Sequence, residues 1–303
     1  MPETISQLAV LAVFYTVFLG QIYLLSVYFP RKIINRARYV LDNFPPEDYP
    51  KLYPTYHPGF MAEANRKLGF YKGVNAATAI FGLMILTAML VTGYRPSMKG
   101  GDEIFVLFYS MLQALPLIYA EVKEFKQYRL MRSTYAAKTR TAELAPRRLF
   151  DFISPFYVVL AVALYCLWLA FYLSARGFDD PQVGEVYATL FMITGLNVAY
   201  VFWIARVMVG KKFDPYKAHA DQLKQIGVTV KMLVFSSIGI SIFQMLAQAA
   251  DQYDFEVFDP PMASLYMQFC MVFGLGIAMK MQDIEDIDFD VYRDDTASLP
   301  KEA

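Results

Sequence analysis

At 303 residues, with 56% hydrophobic and 18% charged side chains, zero formal charge and a mean hydropathy of +0.33, the chain is too apolar for a soluble domain of its length. Its two cysteines, Cys166 and Cys270, both fall within apolar runs. They imply no disulfide framework and are expected to pack as small apolar side chains.

Seven runs, with at most one charged residue each, approach or exceed the roughly 18–20 residues that a helix needs to cross ~30 Å of hydrocarbon. They lie at about Ile5–Phe29, Val74–Gly93, Ile104–Ala120, Phe152–Ser174, Val186–Val209, Val228–Ala250 and Met262–Met281. Such long continuous runs lack the alternation of barrel strands, so the fold class is all-α, a polytopic membrane bundle of seven transmembrane helices. The amino-terminal "MPETISQ" has no positive charge before its apolar run, so a cleaved signal peptide is not expected. The third run is short. Phe125, Tyr128, Met131 and Tyr135, interleaved with Lys123, Lys126, Arg129 and Arg132, predict that it continues beyond the bilayer as an amphipathic helix.

Orientation follows from lysine and arginine, because basic loops resist translocation. Connectors 30–73, 121–151 and 210–227 carry 20 of the 28, whereas the opposite side has only Arg95, Lys99 and Arg176. The expectation is an N-terminus outside and a C-terminus in the cytoplasm, with residues 1–281 forming the transmembrane domain and 282–303 an acidic cytoplasmic tail. A bacterial inner membrane is the expected compartment. Arg147, Arg148, Lys211 and Lys212 then sit at the cytoplasmic boundary, as interfacial anchors or as a site for lipid phosphate.

Asp180, Pro181, Tyr187, Met192, Gly195, Leu196 and Ala199 recur without gaps as Asp259, Pro260, Tyr266, Met271, Gly274, Leu275 and Ala278. The match suggests a parallel repeat of the hairpins formed by runs four and five and runs six and seven. The first connector, "NFPPEDYPKLYPTYHP", is too rich in proline to continue a helix, and its aromatics are expected to cover the cytoplasmic helix ends. For the tail, where acids alternate with Ile284, Ile287, Phe289 and Val291, two readings stay open: docking on the protein's own basic loops, or a solvated end.

Only His57 and His219 are present, both in connectors, so no haem or embedded metal is expected and no metal ligands are assigned. A Schiff-base pigment needs a lysine in mid-span, whereas Lys280 falls at the end of the last run. No cofactor is expected. Ionisable groups within the runs, which ion-coupled transport retains at a cost, are nearly missing. What remains is uncharged polarity arranged by face: Tyr109, Gln113 and Pro116 in run three, Thr194, Asn197 and Tyr200 in run five, and Ser237, Ser241, Gln244 and Gln248 in run six. These stripes are expected to turn inward, either as interhelical hydrogen bonds or as the walls of a polar cavity between runs three, five and six.

Three functions follow as expectations. The first is a non-catalytic membrane protein whose cytoplasmic loops and acidic tail dock a partner or its own subunits. The second is a facilitator or binding protein for a neutral or lipid-like small molecule. The third, an interfacial lipid-modifying enzyme, would need Asp151 or Asp214 to converge on a pocket at the cytoplasmic boundary. Membrane lipids are expected partners in every case, and nucleic acid is not.

Overall fold

A computed structural model describes residues 2–95, 103–134, 147–176, 183–210 and 214–293. Seven of its helices are long and apolar enough to cross a membrane: Leu8–Asn43, Phe60–Thr92, Ile104–Ser133, Pro155–Arg176, Val183–Val209, His219–Gln252 and Glu256–Met281. They are numbered here as spans one to seven, and no strand occurs among the described residues. Their outward faces are apolar, with Val91, Phe191 and Val209 exposed to 82%, 82% and 89%. A surface of this kind is stable in hydrocarbon and costly in water. The chain is accordingly an integral membrane protein.

Span one is longer than its apolar run. It passes through a π-turn at Leu24–Tyr28 and continues as helix to Asn43, so the connector that the sequence places from residue 30 begins at Phe44. Pro30 lacks a backbone N–H and sits in the first turn after the π-turn, where that loss is tolerated. The extension is amphipathic, with Phe29, Pro30 and Ile34 buried and Arg31 and Lys32 exposed. Span three likewise runs on to Thr134, as its mixed aromatic and basic pattern predicts.

The bundle is built in two parts. Phe14, Phe18 and Ile22 of span one pack with Ala79 and Leu86 of span two, Val106 and Tyr109 of span three, and Ala263 of span seven. In the other part Ala161 and Trp168 of span four meet Ile193 of span five and Val230, Val234, Ile238 and Ile240 of span six. Span seven joins the parts by also packing on span six, where Gly239 lets the Phe269 ring lie so close that an added Cβ would stand 2.3 Å from it. Of the two glycines paired in the hairpin match, Gly274 makes ordinary contact with Met232 and Gly195 faces open space. This matched pair therefore differs in environment. Asp180 and Pro181 of that match lie outside the described residues.

At the loop-rich end the tail folds back. Phe289 stacks on Phe44 at 4.0 Å between ring centroids, and Tyr49, Tyr53, Phe289 and Tyr292 form one buried aromatic cluster. Arg293 Nη2 donates to the Tyr49 hydroxyl at 2.9 Å, the Tyr292 hydroxyl donates to Asp214, and Arg36 Nη2 donates to the Gln282 carbonyl at 2.7 Å. The first connector thus covers the helix ends, as its aromatics predict. The tail through Arg293 is docked rather than solvated, and it rests on aromatic rings more than on basic loops.

This cap predicts an alkaline response. Burial pushes the Tyr53 hydroxyl up to about 12, and burial reinforced by Asp214 raises Tyr292 above the ordinary tyrosine range. A raised tyrosine holds its proton more tightly when folded. Its contribution is complete below about pH 10 and is lost as pH climbs through the folded value. Proteolysis of residues 44–59 should accelerate between about pH 10 and 12, in step with tyrosinate absorbance, while the spans stay helical. Equal cleavage rates across that interval would contradict the packing.

Candidate functional site

The polar stripes fall into two separate places. Span three packs on spans one, two and seven, so its stripe does not face span five or span six. Gln113, 2% exposed, donates from Nε2 to Ser26 Oγ at 2.8 Å, and Gln21 Nε2 donates to Gln113 Oε1 at 2.9 Å and to Ser110 Oγ at 2.8 Å. The Tyr109 hydroxyl donates to the Thr78 carbonyl at 3.0 Å, in space left by Gly82. This is an interhelical network that ties spans one, two and three together.

Gln21 and Ser26 carry no signal in the sequence, for a geometric reason. On a regular α-helix, residues five apart point about 140° away from each other. The π-turn at Leu24–Tyr28 adds a residue to the turn and brings both onto Gln113.

The second place is a lateral groove of about 480 Å³ between spans four, five and six. Three predicted residues of span five, Thr194, Asn197 and Tyr200, line it together with Ser237 of span six. Tyr165 of span four, which the sequence reading did not single out, completes the polar set. Ser237 Oγ donates to Asn197 Oδ1 at 2.5 Å, Asn197 Nδ2 donates to the Ile193 carbonyl at 2.9 Å, and the Tyr165 and Thr194 hydroxyls lie 2.8 Å apart. Asn197 keeps a second amide N–H and a free lone pair for a visitor. The rest of the wall is aliphatic, including Val162, Val198 and Val201, which are 59%, 62% and 68% exposed. Because those valines also face outward, the groove opens sideways into hydrocarbon.

The other predicted residues do not enter it. Ser241 is fully buried and donates to the Ser237 carbonyl at 2.9 Å, Gln248 is buried, Gln244 is half-buried, and none of the three lines the groove. The expected cavity between spans three, five and six is corrected to spans four, five and six.

At the loop-rich end Arg147 Nη1 donates to the Met208 carbonyl at 3.4 Å, joining the start of span four to the end of span five. The Arg148 backbone N–H donates to Asp151 Oδ2 at 3.1 Å. Lys211 and Lys212 lie outside the described residues. Asp151 is thus engaged in capping a short turn, and Asp214 is engaged by the Tyr216 backbone N–H at 2.9 Å and by the Tyr292 hydroxyl. Each carboxylate has a structural bond of its own. Among the described residues no cluster of three or more His, Cys, Asp or Glu forms a candidate metal site.

Comparison of the chain with family models, with curated proteins and with solved structures finds no match.

Proposed function

We propose that this is a non-catalytic membrane protein that binds a neutral, lipid-like molecule in the groove between spans four, five and six. One observation carries the reading: a sideways-opening volume of about 480 Å³ with aliphatic walls and only uncharged polar groups, which falls within the range of ligand pockets. A ligand there enters from the bilayer, lays its chain along Val158, Val162 and Val201, and offers one hydrogen-bonding group to Asn197. Charge is not called for. The basic connectors support an orientation with the N-terminus outside and the cap in the cytosol of a bacterial inner membrane. The hairpin match supports a duplicated origin for spans four to seven.

The test fills the groove. Native mass spectrometry of protein released from lipid nanodiscs should detect a retained neutral lipid on the wild type, and Val198→Trp should reduce its occupancy about tenfold. Asn197→Leu should reduce it less, by the loss of a single bond of about 0.6–1.7 kcal/mol. Val209→Trp, on the outward surface, is the control. Equal occupancy in Val198→Trp and wild type would remove the groove from the account.

A second reading is favoured by the order of the loop-rich end. The aromatic cap gives the cytosolic face a fixed shape on which a partner or another copy of the chain could dock, with Tyr56 exposed to 48% beside it.

A further inference from the structure

We propose that the part of span three beyond the bilayer forms a binding site for a phosphate-class anion, separate from the groove. The helix Glu103–Thr134 has 32 residues, roughly 48 Å at 1.5 Å per residue, against a hydrocarbon core of ~30 Å. About twelve residues at its C-terminal end therefore stand in the headgroup layer or the water beyond. On that stretch Phe125, Tyr128, Arg129 and Arg132 follow at intervals of three, one and three, which sets them on one face, and they line a recess of about 310 Å³.

The chemistry of the recess selects its ligand. Two aromatic rings and two guanidinium groups line it, and guanidinium groups are the side chains best suited to bidentate contact with phosphate oxygens. Arg129 is exposed and makes no hydrogen bond or ion pair among the described residues. The nearest carboxylate on the helix, Glu124, is engaged by the Tyr128 hydroxyl. Lys123 and Lys126, both exposed, add positive charge on the same turns.

Direction favours the membrane. The Cα–Cβ bonds of a helix tilt toward its N-terminus, and for span three that end lies at the far side of the bilayer, so both arginines leave the helix tilted toward the headgroups. Phe125, 58% exposed and one turn closer to the hydrocarbon, is placed to contact the upper acyl carbons. The same geometry would hold a dissolved phosphate.

The experiment uses the full chain in nanodiscs of phosphatidylcholine, with and without a minority of phosphatidylglycerol, and a separate titration with inorganic phosphate followed by phosphorus NMR. The wild type should retain phosphatidylglycerol over phosphatidylcholine, and Arg129→Gln with Arg132→Gln should lower that preference about 25-fold, fivefold for each arginine. Arg129→Lys keeps the charge but not the fork and should fall between, which separates loss of the site from loss of the fold, and unchanged circular dichroism provides a second control. Binding of inorganic phosphate that depends on Arg129, without lipid preference, assigns the site to a dissolved anion. If neither probe distinguishes wild type from the double variant, or neither binds at all, there is no such site.

Discussion

Phe289→Ala should detach the tail from the loop-rich end while leaving the seven spans in place. The ring is 8% exposed, stacks on Phe44 at 4.0 Å and contacts Tyr292 at 6.1 Å, so its removal empties the middle of the aromatic cluster. Replacing a buried phenylalanine with alanine costs about 3–5 kcal/mol, and the low end applies where a surface site can collapse into the space. A loss of about 3 kcal/mol corresponds to amide exchange roughly a hundredfold faster across residues 44–59 and 284–293. Hydrogen exchange read by mass spectrometry checks this, and unchanged protection of residues 44–59 would mean that the tail is not what holds the connector.

The tail also marks how far the sequence could be followed. Ile284, Ile287, Phe289 and Val291 recur often enough to signal a buried face, but acidic neighbours suggested basic loops as the surface it meets. In the structure Arg36 reaches the start of the tail at the Gln282 carbonyl, but the cation over the aromatic cluster belongs to the tail itself, with Arg293 over the Tyr49 ring at 5.2 Å. Charge counting identifies which side of the membrane a segment prefers and says little about which side chains it touches.

Gly82→Ala is the second large effect. A Cβ at that position would lie 2.2 Å from the Tyr109 hydroxyl and 2.6 Å from its Cζ, with Ile22 Cγ1 at 3.0 Å. The ring cannot swing freely, because Tyr109 is 1% exposed and packs on Phe18 at 5.4 Å. Overpacking of this kind costs about 1–3 kcal/mol, to which the broken Tyr109 to Thr78 bond adds about 0.6 kcal/mol. Thermal unfolding in detergent should show a clear loss for Gly82→Ala. Tyr109→Phe in the same chain should restore part of it by removing the nearest atom, a non-additive result that contact between the two positions requires. Gly195→Ala meets nothing within 4 Å and should be neutral or slightly stabilising. Equal effects at the two glycines would contradict the packing of spans two and three.

The spans themselves were legible because hydrocarbon imposes a length and a composition that few other environments do. Neighbours were not. Within a bilayer no hydrophobic force selects which helix lies beside which, so shape and a few polar bonds decide, and neither is periodic in the sequence. Asn197 and Ser237 were assigned to facing stripes and do meet, at 2.5 Å, whereas Gln113 belongs to the other part of the bundle and pairs with Gln21. Tyr165 gave no signal because a lone tyrosine in an apolar run reads as packing. The same holds for Gln21, which meets Gln113 alongside Ser26 only because of the π-turn between them.

A density map of the full chain in lipid nanodiscs, at a resolution that separates side chains, examines the groove most directly. An elongated density is expected between spans four, five and six, reaching from the bilayer past Val198 and Val201, with one end within hydrogen-bond distance of Asn197. A groove closed by its own side chains, or occupied only by water around Asn197 and Ser237, would contradict it.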